Sequence, residues 1–223
     1  MIMTTCHFLE VTIMPNPTFF HLPEAKRQRL MDAVWQEFTS VSYMDASINK
    51  IIQAADISRG SFYQYFSGKQ DVFTYILKTI MDAGKNVFQA QLTVHNNDLF
   101  AAILGMYDML LWKHAKPRQD PAFDRIRALL RLNAELDMSQ FTDLLDHDAV
   151  TKTMNQLLIH TGYHLFSSLQ CHALIHLLIS VGLSNAADTL RHPSHETQNR
   201  TLLEGELELI RLGLDAAQEA HSQ

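Results

Sequence analysis

Two cysteines in 223 residues, Cys6 and Cys171, are too few and too far apart for a disulfide framework, and reduced thiols are expected. Missing too is any Gly-rich phosphate loop, nucleophile elbow or HExxH motif, so no enzyme is expected. A basic excess is absent: 18 Lys and Arg against 24 Asp and Glu leave a formal charge of -6. That balance excludes a broad polyanion-binding surface, and contact with a polyanion must use a local patch. The opening "MIMTTCHFLEVTIM" has no basic n-region and carries Glu10 where an apolar core would run, which argues against a signal peptide. One long run lacks formal charge, residues 153–187, but His160, His164, Gln170, His172 and His176 interrupt it, and it is rejected as a membrane span. A soluble, cytoplasmic protein with no membrane partner is expected.

What is present is ordinary globular material, 47% hydrophobic and 19% charged, in a chain long enough for two domains. The apolar spacing is helical throughout, with no convincing alternating strand, no internal repeat and no low-complexity tract. Helices are expected over 23–39, from Ser47 to Asp56, from Ser58, over 69–92, 98–115, 121–137, 149–160, 163–191 and 194–220. The fold class is therefore all-α. Three segments are expected: residues 1–16 as an extension, disordered or foreign to the native chain with Met14 an alternative start; 17–68 as a small N-terminal helical domain; and 69–223 as a larger helical domain.

The stretch "ADISRGSFYQYFSGKQDVF" carries the most information. Ser47 is read as the cap of one short helix and Ser58 of the next, with Asp56 in the turn between. Two short helices joined in this way form a helix-turn-helix, whose second helix enters the major groove of DNA. Phe62 and Phe66 then point inward, leaving Arg59, Ser61, Tyr63 and Gln64 outside. Arg can grip a guanine edge and Gln an adenine edge, while Ser, Tyr and Lys69 suit phosphate oxygens. Gly60 allows close backbone approach, and the helix N-termini at Ser47 and Ser58 favour phosphate.

The run "ASINKIIQAADISRGSFYQYFSGKQDVF", preceded by "PEAKRQRLMDAVWQEF", closely resembles the N-terminal domain of the TetR family of transcriptional regulators. Ser47, Ile51, Ala55, Ile57, Ser58, Arg59, Gly60, Ser61, Phe62, Tyr63, Tyr65, Phe66 and Lys69 follow the family pattern. Ile52 and Asp56 depart from it, standing where Ala and Gly are usual. The resemblance implies operator contacts at Ser47, Asn49, Arg59, Gly60, Ser61, Tyr63, Gln64, Tyr65 and Lys69, with Tyr43 a weaker candidate. It further implies a repressor bound to near-palindromic double-stranded DNA as a homodimer and released by a small-molecule effector, with no cofactor. A helical small-molecule binding protein or metal sensor that has lost DNA affinity is the alternative.

Beyond that region the reading rests on stripes. The final two helices look like half of an intersubunit bundle, against the reading that both pack inside a monomer. In the helix over 163–191, Leu165, Leu169, His172, His176, Ile179 and Leu183 form one apolar stripe. Tyr107 and His114 on one helix and Asn133 on another are polar groups on apolar faces, and they are the candidate lining of a pocket for a substantially apolar effector. His172 with His176, and His160 with His164, have metal-ligand spacing, but no supporting carboxylate or thiol cluster accompanies them and no metal site is expected.

Overall fold

The computed structural model describes residues 15–111, 121–134 and 167–221, with isolated positions from 152 to 163 between them. Among these residues every regular element is helical. The first helix, α1, is the single turn Pro17–Phe20, started by the Asn16 side chain, which accepts from the Thr18 N–H. Pro15 is buried and the Asn16 N–H donates to the Tyr65 carbonyl at 2.9 Å, so the last two residues assigned to the extension belong to the fold.

Helix α2 (Glu24–Phe38) packs on α3 (Ile48–Ala55), which contacts α4 (Arg59–Tyr65). Their shared core is aromatic. Phe19, Phe38, Phe62 and Phe66 are each at most 1% exposed, and Leu30, Val34, Ile51 and Val72 fill the space between them. Each such side chain is worth about 1.5–3 kcal/mol of burial. A domain this small is therefore set by a few rings, and the outward positions of α4 contribute little to it.

The long helix α5 (Lys69–Val94) leaves this core through Phe73, Ile76 and Leu77 and turns through Asn96 and Asn97, both with positive φ, into α6 (Leu99–Leu110). Asp98 caps α6 by accepting from the Phe100 and Ala101 N–H groups at 2.9 Å. Helix α7 (Pro121–Leu132) packs on α8 (Ser168–Arg191), and α8 on α9 (Glu196–His221). A second core joins Leu99, Phe100, Tyr107, Cys171, Leu174, Leu178, Leu203 and Leu207. Leu129 of α7 belongs instead to the first core and carries it across to the helical domain.

Three expectations are corrected. Helix α8 begins at Ser168 rather than Tyr163, because Ser167 and Gln170 form a capping box there. Its buried face is Cys171, Leu174, Ile175, Leu178 and Ala186, not the expected Leu169 stripe; Leu169 is 76% exposed. Ser47 makes no side-chain cap, and its own N–H donates instead to the buried Glu37 carboxylate at 2.9 Å. Helix α8 is long and apolar enough to cross a membrane, with mean hydropathy 1.4, yet it lies between α6, α7 and α9.

Candidate nucleic-acid interface

The geometry of the α3–α4 pair follows from its turn. Asp56 sits in the left-handed region at φ 52°, and the Ile57 N–H donates back to the Ile52 carbonyl at 3.2 Å. Asp tolerates this conformation at a cost that Gly would avoid. Ser58 then starts α4 with its hydroxyl accepting from the Ser61 N–H at 3.0 Å, and Ser58 and Ser61 share a hydrogen bond at 2.9 Å. Both expected hydroxyls are thus at the helix start.

Arg59, Asn49 and Tyr63 form one surface cluster. The guanidinium donates to Asn49 Oδ1 at 2.7 Å and to the Tyr63 hydroxyl at 3.3 Å, and it lies 5.4 Å from the Tyr63 ring centroid. All three are exposed, and Gln64 is exposed beside them. A tethered guanidinium has lost part of its rotamer freedom before any ligand arrives. Gly60 is exposed as well, and a Cβ placed there would meet only Ser58 Oγ at 3.9 Å. Nothing inside the fold requires glycine at this position.

The far end of α4 is held by the first helix. Thr18 Oγ1 donates to the Gln64 carbonyl at 2.7 Å and the Asn16 N–H to the Tyr65 carbonyl, satisfying last-turn acceptors that α4 cannot pair itself. Sequence reasoning missed this clamp. The signal available was Asn16-Pro17, a capping residue followed by proline at a first helical position.

The Tyr65 ring, expected at the DNA surface, is packed in the core, 5% exposed and edge-on to Phe19. Tyr43 lies against Phe38 and Phe73, and its N–H donates to Asn133 Oδ1 at 2.8 Å. Lys69 Nζ sits 4.9 Å from the Tyr43 ring centroid and donates to the Met44 carbonyl at 2.8 Å. The lysine thus starts from a defined position at the N-terminus of α5.

Of the pocket candidates, the two described, Tyr107 and Asn133, have separate partners. Tyr107 shares a hydrogen bond of 3.0 Å with Thr189 inside the second core. Asn133 holds Tyr43 and donates to the Leu129 carbonyl at 2.9 Å, while His114 lies outside the described residues. Asn133 does border a small apolar cavity of about 60 Å³, lined by Phe73, Leu77, Ile126, Leu130 and Leu183. Of the spaced histidines, His172 and His176 are half-buried on α8, and His160 and His164 lie outside the described residues.

This architecture defines a helix-turn-helix protein with a helical domain behind the motif. Residues 30–76 match the model of the bacterial regulatory proteins, tetR family. The HTH-type transcriptional regulator SrpR of Pseudomonas putida is 35% identical over 54 residues, 24% of this chain and 25% of that protein. The HTH-type transcriptional regulator HbdR of Aromatoleum sp. (strain CIB) is 33% identical over 61 residues, 27% of each. These alignments span about a quarter of the relatives' length, and the likeness in sequence is one of domain rather than of whole chain. Two solved structures align over most of the chain. A TetR family transcriptional regulator from Chloroflexus aurantiacus J-10-FL shows 24% identity over 90% of this chain and 98% of that one, with a TM-score of 0.43. A TetR transcriptional regulator from Rhodococcus sp. RHA1 shows 14% identity over 85% and 98%, with a TM-score of 0.44.

Proposed function

We propose that the chain is a ligand-responsive transcriptional repressor of the cytoplasm, which binds a near-palindromic operator as a homodimer and is released by a small-molecule effector. The observation that carries this reading is the Arg59–Asn49–Tyr63 cluster beside the open Gly60, at the exposed start of a helix clamped at both ends. In that arrangement Arg59 and Gln64 read base edges, whereas Ser47, Ser58, Ser61, Tyr63 and Lys69 grip phosphates. The net charge of -6 makes the footprint a local one.

Dimerisation through α8 and α9 is supported by apolar residues left outside. Leu202, Leu209 and Leu212 line α9 on the side away from the buried Leu203 and Leu207, and Leu169 and Leu177 are exposed on α8. Large apolar side chains at such spacing seek a partner, and a two-fold axis would give it identical ones. Paired recognition helices would then meet half-sites about one DNA turn apart.

A substantially apolar effector entering near the cavity below Asn133 would act by preferring the conformation whose recognition helices do not match the operator. Asn133 is suited to transmit that preference, since it holds the residue just ahead of the turn into α3.

The purified chain should bind DNA from its own upstream region in preference to unrelated DNA, measured across a salt series. Tight selective binding with a steep salt dependence supports the proposal. Binding that is weak and indifferent to sequence overturns it, and favours a helical small-molecule binding protein.

A further inference from the structure

The segment Asp188-Thr189-Leu190-Arg191-His192-Pro193-Ser194-His195 closes α8 and turns into α9. Helical spacing puts Asp188 and His192 on one face of the last turn of α8. Pro193 opens a 3-10 turn, closed by the His195 N–H donating to the His192 carbonyl at 2.9 Å, and this brings His195 back over the same carboxylate. His192 Nδ1 lies 3.0 Å from Asp188 Oδ1 and His195 Nδ1 3.0 Å from Asp188 Oδ2. The imidazole centroids are 5.0 Å apart, and one donor atom from each of the three residues falls within 4.8 Å of the others.

We infer that Asp188, His192 and His195 form a binding site for a borderline divalent transition ion, with Zn²⁺ the ion that two imidazoles and one carboxylate suit best. An ion bonded at about 2.0–2.2 Å to each ligand keeps neighbouring donors about 3–3.5 Å apart. Nitrogen and oxygen already stand at that separation on both sides of Asp188, and with all three donors within 4.8 Å of one another, side-chain rotation of the half-exposed imidazoles closes them on an ion. With rings about half exposed, three ligands leave the remaining coordination positions to water.

The carboxylate is built into its place. Asn199 Nδ2 donates to Asp188 Oδ2 at 2.7 Å and to Thr189 Oγ1 at 3.0 Å, and Thr189 in turn meets the Tyr107 hydroxyl. A continuous line of hydrogen bonds therefore runs from the second core to the outer carboxylate. Partners of this kind orient a metal ligand and raise its affinity. Neither histidine belongs to the pairs that sequence spacing singled out, and the site is separate from the helix-turn-helix and from the apolar cavity.

The test uses the full chain without an affinity tag, stripped by chelator and titrated with ZnCl₂ in a calorimeter. Co²⁺ is titrated in parallel to read imidazole ligation from its visible absorption. One saturable equivalent is expected, weakened at least about tenfold in both His195→Gln and the His192→Gln, His195→Gln double variant, and unchanged in the His172→Gln, His176→Gln double variant. Saturating Zn²⁺ should raise the melting temperature by about a few degrees in the native chain and not in the double variant at 192 and 195. Melting in chelator verifies that each variant folds, and the Co²⁺ spectrum of the native chain is a readout that needs no variant. Absence of saturable uptake overturns the inference, as does uptake that survives the 192 and 195 changes or is lost with the 172 and 176 pair.

Discussion

The side-chain oxygen of Asn133, near the end of α7, accepts the backbone N–H of Tyr43, in the turn ahead of α3, at 2.8 Å. Ninety residues of chain separate the two. The same Asn133 amide donates to Leu129, whose side chain belongs to the core beneath the helix-turn-helix, so one short stretch of α7 holds the DNA-reading domain by both packing and a polar contact. Asn133→Leu removes the acceptor while keeping the bulk. The variant should lose about 1–3 kcal/mol in chemical denaturation, and any effector should release DNA from it less completely. Unchanged effector response would show that the coupling runs through the apolar contacts alone.

Arg59 and Lys69 should separate in a binding assay. Arg59→Ala is expected to relax base discrimination at one position of the site, by about 1–3 kcal/mol. Lys69→Ala should weaken binding to all sequences and reduce the salt slope by about one charge. Equal loss of discrimination in both variants would contradict the assigned roles.

At Gly60 the expectation runs in opposite directions for stability and binding. A Cβ there fits the free protein and favours the helix, so Gly60→Ala should leave stability equal or raise it by up to about 1 kcal/mol. Operator affinity should nevertheless fall, because the added methyl would occupy the surface proposed to meet the DNA backbone. Gel-shift titration beside a thermal melt checks both.

Glu37 supports the start of α3 by accepting the N–H of its N-cap residue, Ser47. Glu37→Ala leaves the Ser47 N–H without this acceptor and should cost about 1–2 kcal/mol. Glu37→Gln keeps an oxygen at the same place and should recover most of that loss in the same denaturation experiment.

Tyr163 ties the segment ahead of α8 to α9 by donating its hydroxyl to Asp215 at 2.8 Å. Burial, and next the hydrogen bond to Asp215, push its phenol up to about 12. The unfolded phenol ionises near 10. The contribution is therefore complete below about pH 10 and is lost as the pH rises through the folded value near 12. Denaturation at pH 9 and pH 11.5 should show a larger loss for the native chain than for Tyr163→Phe, and equal losses would refute the coupling.

Much of the N-terminal domain is legible from local pattern. Phe62 and Phe66 announced the buried side of α4, and Ser58 announced its start, because both depend on neighbours within a turn. The packing of Tyr65 is less legible. Its identity fits a phosphate contact, but the burial of its ring is decided by Phe19, forty-six residues away in sequence and supplied by a helix too short to show a period. The α8 stripe misled for a related reason. A helix apolar on most sides offers several faces of equal merit, and the neighbours alone select Cys171, Leu174 and Leu178.

Local physics settles the helices, their caps, the left-handed turn at Asp56 and the exposed polar start of α4, since each rests on residues within four or five positions of one another. Tertiary packing alone decides that Glu37 serves α3, that Asn133 serves Tyr43, and that α1 clamps α4. It alone seats Asn199 beside Asp188 and, through Thr189, Tyr107. Those contacts join residues ten to ninety positions apart, where the chain carries no period to mark them; a buried polar group finds whichever partner the packed helices bring within reach.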